Sequence, residues 1–208
     1  YTFTVPKEQM ISGAFDSLSH VMETYFSAPD ERNVSDEISE TLVQSIIRNI
    51  RMILKDPQDY GARSNLLWES SLSENRLIKL GKQCDFACHL MAHQIGAYTD
   101  CSHGQAMAVL HPVYYRHIYK SGVEKFSRFA RNVWKIREQG KTDAELAKDG
   151  IDALESFIKV TGLLTTLREL GIEDQKELKE IADSCHYSPG SYRRIMPDEI
   201  LKIFLECF

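Results

Sequence analysis

Long apolar runs are missing from this sequence: nowhere do its 208 residues hold the roughly 18–20 consecutive apolar side chains that a membrane-spanning helix needs. No signal-peptide pattern stands at the first residues either, so no membrane partner is expected. Positive charge is also short. Lys and Arg number 25 against 30 Asp and Glu, the net charge is −5, and basic clusters such as Arg193-Arg194 stay small. Nucleic-acid binders need clustered Lys and Arg to neutralise phosphates, which excludes a general nucleic-acid partner. The five cysteines are sparse and odd in number, which argues against a disulfide framework and for a reducing cytoplasm. Cys84 and Cys88 are four apart and Cys101 lies two before His103, but these spacings do not build the two C-x2-4-C knuckles of a thiolate zinc site. Among the 11 glycines none forms a G-x-G-x-x-G turn, and no βαβ alternation occurs, so no dinucleotide-binding turn is present.

What is present reads as helix. Hydrophobic residues make up 43% and charged residues 26%, ordinary for a globular chain that can bury a sizeable core. Residues 1–5 alternate as a short strand does, and Pro6 then opens a helix to about Phe26. Ser35 starts a second helix to about Leu54, with Leu42, Val43, Ile46, Ile47 and Ile50 at helical spacing and Asp56-Pro57 as its stop. A third runs from Gly61 to about Leu80, where Trp68 is a packing residue or a pocket wall. Helices then follow around His89 and from Gly104 through Pro112, where a kink is expected, and along the Phe126 to Ile136 stripe. Thr142 and Glu145 form a capping box for a helix to about Val160, closed by Gly162. Shorter helices are expected over residues 165–170, 175–182 and 197–208, with an irregular stretch over 187–195. The expected fold is all-α, a single domain over 1–208 of seven to nine helices with a short N-terminal strand.

Chemistry concentrates between Cys84 and Pro112, which holds four of the seven histidines. His89 and His93 are i,i+4, so on a helix both rings leave one face. The polar run Thr99-Asp100-Cys101-Ser102 then turns the chain back, and His103-Gly104 opens the next helix. Upstream, Asp16 and His20 are also i,i+4. Asp16, His20, His89 and His103 together offer three nitrogens and one oxygen, a set that suits iron(II), zinc, manganese, cobalt or nickel better than calcium or magnesium. A single histidine on a helix is more often a packed side chain than a ligand, and spacing alone does not decide between the two. His111, just before Pro112, reads as structural, and His117 and His186 as surface or packing residues.

At these positions the sequence resembles the iron-containing, group III alcohol dehydrogenases, in particular their butanol dehydrogenase-like branch. The matching features are the G-x-x-D-x-x-x-H pattern at Gly13, Asp16 and His20, and the pattern from His89 through His93 to His103-Gly104. TFTVPKEQMISGAFDSLSHVMETYF at the start, GARSNLLWESSL at 61–72 and TTLRELGI at 165–172 extend the likeness over nearly the whole chain. The resemblance implies that Asp16, His20, His89 and His103 are metal ligands, that His93 assists proton transfer, and that Gly13 is the small residue under the first pair. Phe86 and Ala92 depart from the branch, which often has Trp and Glu there.

The resemblance further implies the C-terminal helical half of an NAD(P)-dependent alcohol dehydrogenase or aldehyde reductase. Its N-terminal nucleotide-binding domain would lie outside this chain. Iron(II), with zinc next, would polarise a small alcohol or aldehyde, and the protein would be a homodimer. The half alone is expected to be inactive. Two rivals are a metal-dependent hydrolase on a helical scaffold and a helical module with a structural metal; the His-Asp dipeptide common in such phosphohydrolases does not occur.

Overall fold

The computed structural model describes residues 2–29, 31–84, 86–186 and 194–208. Among them are nine α-helices: α1 (Lys7–Tyr25), α2 (Val34–Lys55), α3 (Tyr60–Glu74), α4 (Ala87–Thr99), α5 (His103–Ile118), α6 (Val123–Asn132), α7 (Asp143–Thr161), α8 (Gln175–Ser184) and α9 (Pro197–Glu206). The fold is all-α, and no described helix is long and apolar enough to cross a membrane. Most of the expected 187–195 stretch lies outside the described residues.

α1 is the central element. It packs on α2, α3 and α5, and its Phe15, Leu18, Val21, Met22 and Tyr25 are fully buried. A helix buried on several sides needs apolar residues around most of its circumference, so its polar residues at Asp16, His20 and Glu23 call for a separate account. α4 lies against α5 and α8, α6 pairs with α7, and α8 pairs with α9. The stripe of α2 packs as its spacing requires, with Val43, Ile46, Ile50 and Ile53 at or near complete burial. The α7 capping box forms as read: Glu145 N–H donates to Thr142 Oγ1, and Thr142 N–H donates to the Glu145 carboxylate.

Three local expectations are corrected. The N-terminal strand does not form. Thr2–Thr4 is a 3-10 turn, with Val5 N–H donating to the Thr2 carbonyl at 3.0 Å, and the buried Arg63 guanidinium donates to the Thr2 and Val5 carbonyls. A strand needs a partner for those groups, and Arg63 has taken them. The third helix ends at Glu74 rather than near Leu80, because Arg76 adopts φ 70 and breaks the helical run. Residues 165–170 form turns instead of a helix. The Glu169 carboxylate accepts the Thr165 and Thr166 amides, and Leu167 N–H donates to the Cys207 carbonyl at 2.7 Å, so the amides are committed elsewhere. The second helix starts at Val34, one residue before Ser35, with Asn33 as the cap accepting from Asp36 N–H. Pro112 lies inside α5, which continues through it to Ile118.

Candidate metal centre

α1 presents Asp16, His20 and Glu23 at i, i+4 and i+7, one face of one helix. α4 brings His89 and, a turn later, His93; α5 opens with His103. Close approach of α5 to α1 sets the distance between these groups. A Cβ at Gly104 would stand 2.0 Å from the Ser12 carbonyl oxygen, so only glycine lets this turn sit where it does. The Ser12 and Ser102 hydroxyls meet beside it at 2.8 Å. A Cβ at Gly13 would meet nothing within 4 Å, so in this chain the need for a small residue falls on Gly104.

The imidazoles converge on one oxygen. Asp16 Oδ1 lies 3.6 Å from His20 Nε2, 3.9 Å from His89 Nε2 and 3.6 Å from His103 Nε2. Asp16, His89 and His103 offer ligand atoms all within 4.8 Å of one another. His20 stacks close to His89, with ring centroids 4.1 Å apart, so all four residues named from the sequence come together. His93 stands at the rim, exposed, its ring 5.0 Å from that of His103. Among the described residues no cysteine joins this group.

The atoms facing the centre are unsatisfied. Asp16 Oδ1 and His89 Nε2 are buried without a hydrogen-bond partner in the protein. Buried polar atoms are nearly always paired, and each one left alone costs about 1–3 kcal/mol. Two unpaired atoms aimed at a common point, with the Nε2 atoms of His20 and His103 beside them, fit a divalent cation.

Charge balance points the same way. Burial holds the His20 pKa down to about 3, with the neighbouring His89 adding to the effect. Burial likewise lowers His89 to about 4 against the pull of Asp16, and His103 is lowered for the same first reason. The rings are therefore neutral at pH 7, and a neutral imidazole is the form that binds metal.

Two carboxylates that the sequence reading did not single out stand behind the histidines. Glu23, 3% exposed, accepts from Cys88 N–H at 2.8 Å and His89 N–H at 3.1 Å, and its carboxylate contacts His89 Nδ1. Its i+7 spacing from Asp16 was the available signal. Glu74 Oε1, at the end of α3, lies 2.5 Å from His20 Nδ1, close but not aligned as a hydrogen bond. No sequence spacing links Glu74 to the site. Phe86 walls the centre, 5.5 Å from the His20 ring and 4.9 Å from that of His89, with Lys79 Nζ 4.5 Å above it.

The remaining candidates lie apart. His111 is completely buried beside Phe15 and Tyr115. His117 lies between Glu199 and Glu206, and His186 is exposed. Trp68 is 65% exposed and is a wall after all, lining a separate groove of about 520 Å³ with Ile38, Leu42, Leu72 and Ile78.

Known proteins resemble this chain along its length. Residues 10–208 match the model for the C-terminal part of the Fe-containing alcohol dehydrogenase family. NADH-dependent butanol dehydrogenase A of Clostridium acetobutylicum is 36% identical over 212 residues, covering 100% of this chain and 54% of the relative. A probable NADH-dependent butanol dehydrogenase of Bacillus subtilis is 31% identical over 207 residues, 97% of this chain and 53% of its own length. The crystal structure of NADH-dependent butanol dehydrogenase A from Thermotoga maritima superposes with a TM-score of 0.89 at 27% identity, covering 99% of this chain and 53% of that one. The chain thus spans about half the length of the relatives it matches. With the family model, the full-length identities and the superposed helices in agreement, the chain belongs to the Fe-containing alcohol dehydrogenase family.

Proposed function

We propose that this chain is the metal-binding half of an NAD(P)-dependent alcohol dehydrogenase or aldehyde reductase, with Asp16, His20, His89 and His103 as the ligands. The observation that carries the reading is the convergence of three Nε2 atoms on Asp16 Oδ1, with that oxygen and His89 Nε2 buried and without a hydrogen-bond partner in the protein. Three imidazoles and a carboxylate suit a borderline ion, iron(II) first on the family's chemistry and zinc next. Such an ion would supply Lewis-acid polarisation of an alcohol or carbonyl oxygen, while NAD(P) on a nucleotide-binding half outside this chain would supply the hydride chemistry.

The chain's own residues would do three things. Asp16 and the neutral histidines would hold the charge. Phe86 would keep water from one side. His93, exposed at the rim, would take or return the hydroxyl proton at its ring nitrogen, which suits transfer near neutral pH. Asp16 and His103 side chains keep 32% and 30% of their surface accessible, which supports a site open to a small substrate over a closed structural one. The sparse, odd set of five cysteines is in keeping with a cytoplasmic setting.

The test is metal content by mass spectrometry after reconstitution of the chain with iron(II) or zinc, beside an Asp16→Ala, His89→Ala double variant. Near-stoichiometric metal in the parent and none in the variant is expected. The chain joined to a family nucleotide-binding half should then oxidise butanol with NAD(P), and His93→Phe should slow turnover while keeping its metal. Equal metal in parent and double variant would refute the ligand set, and loss of metal in His93→Phe would refute the proton role.

A further inference from the structure

The N-cap residue of α4, Phe86, has φ 52, in the left-handed region, and contributes no side-chain hydrogen bond to the first turn. The first amides of a helix need acceptors outside its own backbone ladder. Glu23 provides them from another helix: Oε1 accepts from Cys88 N–H, and Oε2 accepts from His89 N–H. Two amide donors and the positive end of a helix favour the ionised carboxylate, which can only accept. Oε2 also meets His89 Nδ1. An ionised carboxylate at that nitrogen requires Nδ1 to carry the ring proton. In a neutral imidazole the other nitrogen is then a bare acceptor, and it is Nε2 that faces Asp16 Oδ1 across 3.9 Å. Two acceptors facing each other, with no protein donor between them, make an arrangement that a cation completes.

We propose that Glu23 is a positioning residue: it caps α4 and, with the same carboxylate, fixes His89 in the Nδ1–H tautomer so that the Nε2 lone pair is presented to the centre. This rests on the reading of Asp16, His20, His89 and His103 as a metal site. The device joins two tasks in one group. A carboxylate that only oriented the ring could sit anywhere along the ring's Nδ1 side, and one that only capped the helix need not touch the ring. Because His89 sits in the first turn of α4, its amide and its Nδ1 both come within reach of one buried carboxylate. Glutamine cannot replace it. Whichever way the amide is flipped, its NH2 faces either the Cys88 N–H or the His89 N–H and ring, donor against donor. The flip that spares the Cys88 bond drives the ring proton onto Nε2, the atom that must stay bare.

The experiment uses the 208-residue chain with 15N-labelled histidine, stripped of metal with a chelator, at pH 7.5, with His89→Gln as the assignment control. The long-range 1H–15N spectrum of the parent should show His89 protonated at Nδ1 and bare at Nε2. In Glu23→Gln the ring should move toward the Nε2–H form, and zinc affinity, measured by competition with a chromogenic chelator, should fall about 10- to 100-fold. Asp16→Ala should abolish zinc binding. A merely capping Glu23 would lower the amide protection of α4 without moving the ring proton or the zinc affinity, and that result would overturn the inference. Zinc affinity unchanged in Glu23→Gln but lost in Asp16→Ala overturns the positioning role and leaves the metal site standing; affinity unchanged in both overturns the site itself. If Glu23→Gln does not fold, the parent spectrum alone decides, since His89 carrying its proton on Nε2 refutes the proposal.

Discussion

At the scale of single residues, His111 shows how burial fixes a charge state. It is completely buried, neither ring nitrogen has a hydrogen-bond partner in the protein, and desolvation holds its pKa well below 6.5. Its folded pKa is therefore below its unfolded one. As pH falls below 6.5 the unfolded chain takes up a proton that the folded chain refuses, so stability drops with acidification and rises with pH across that window. Replacing the ring by phenyl removes the linkage. Between pH 7 and pH 5, His111→Phe should lose about 2 kcal/mol less stability than the parent, read from urea unfolding midpoints of the metal-free chain. Equal losses in the two proteins would show that His111 is charged in the folded state.

Elements are held in register by contacts that tolerate little change. Gly104 is the clearest, because a Cβ there would fall 2.0 Å from a backbone oxygen of α1 rather than against a flexible side chain. Gly104→Ala should destabilise the chain by about 1–3 kcal/mol and, by pushing His103 away from Asp16, weaken metal binding. Thermal unfolding and zinc titration of the same samples would check both; a fully stable Gly104→Ala chain with unchanged affinity would contradict the close approach. Arg63 does similar work at the other end of α1, where its buried guanidinium gathers the Thr2 and Val5 carbonyls and also the Pro57 carbonyl at 2.5 Å. One side chain thus ties the entry of α1 to the α2–α3 connection.

Across the whole molecule, the buried charge at Asp36 links segments far apart in sequence. Lys82 Nζ lies 2.8 Å from Oδ1 and Lys125 Nζ 2.7 Å from Oδ2, all three side chains at or below 1% exposure. The ammonium groups also donate to the Ser27 and Pro29 carbonyls, closing the turn after α1 against α2 and α6. Burial brings the Lys125 pKa down to about 8, with the Asp36 carboxylate beside it answering its charge. Asp36→Asn keeps the shape and removes the answer. The expected cost is roughly 3–5 kcal/mol, the range for breaking a buried ion pair from one side, measured by denaturant unfolding at pH 7. A cost under 1 kcal/mol would mean that the lysines reach water without it.

Sequence by itself determined most of the helices and which candidate residues share a helix face. Apolar residues repeat at helical spacing along α2 and α6, and caps such as Thr142 with Glu145 act within a few residues, so local chemistry is enough. Asp16 and His20 share a helix face for the same reason, as do His89 and His93. Where local preference met a distant group, the distant group won. Arg63 took the carbonyls of the expected strand, and Cys207 and Glu169 took the amides of the expected helix at 165–170. Glu23 lay on the legible face of α1, yet its meaning depends on the amides of a helix start 65 residues away. Only the tertiary structure decided that these groups meet, because pairing of buried charges and amides is set by which helices touch, and no periodicity along the chain encodes that contact.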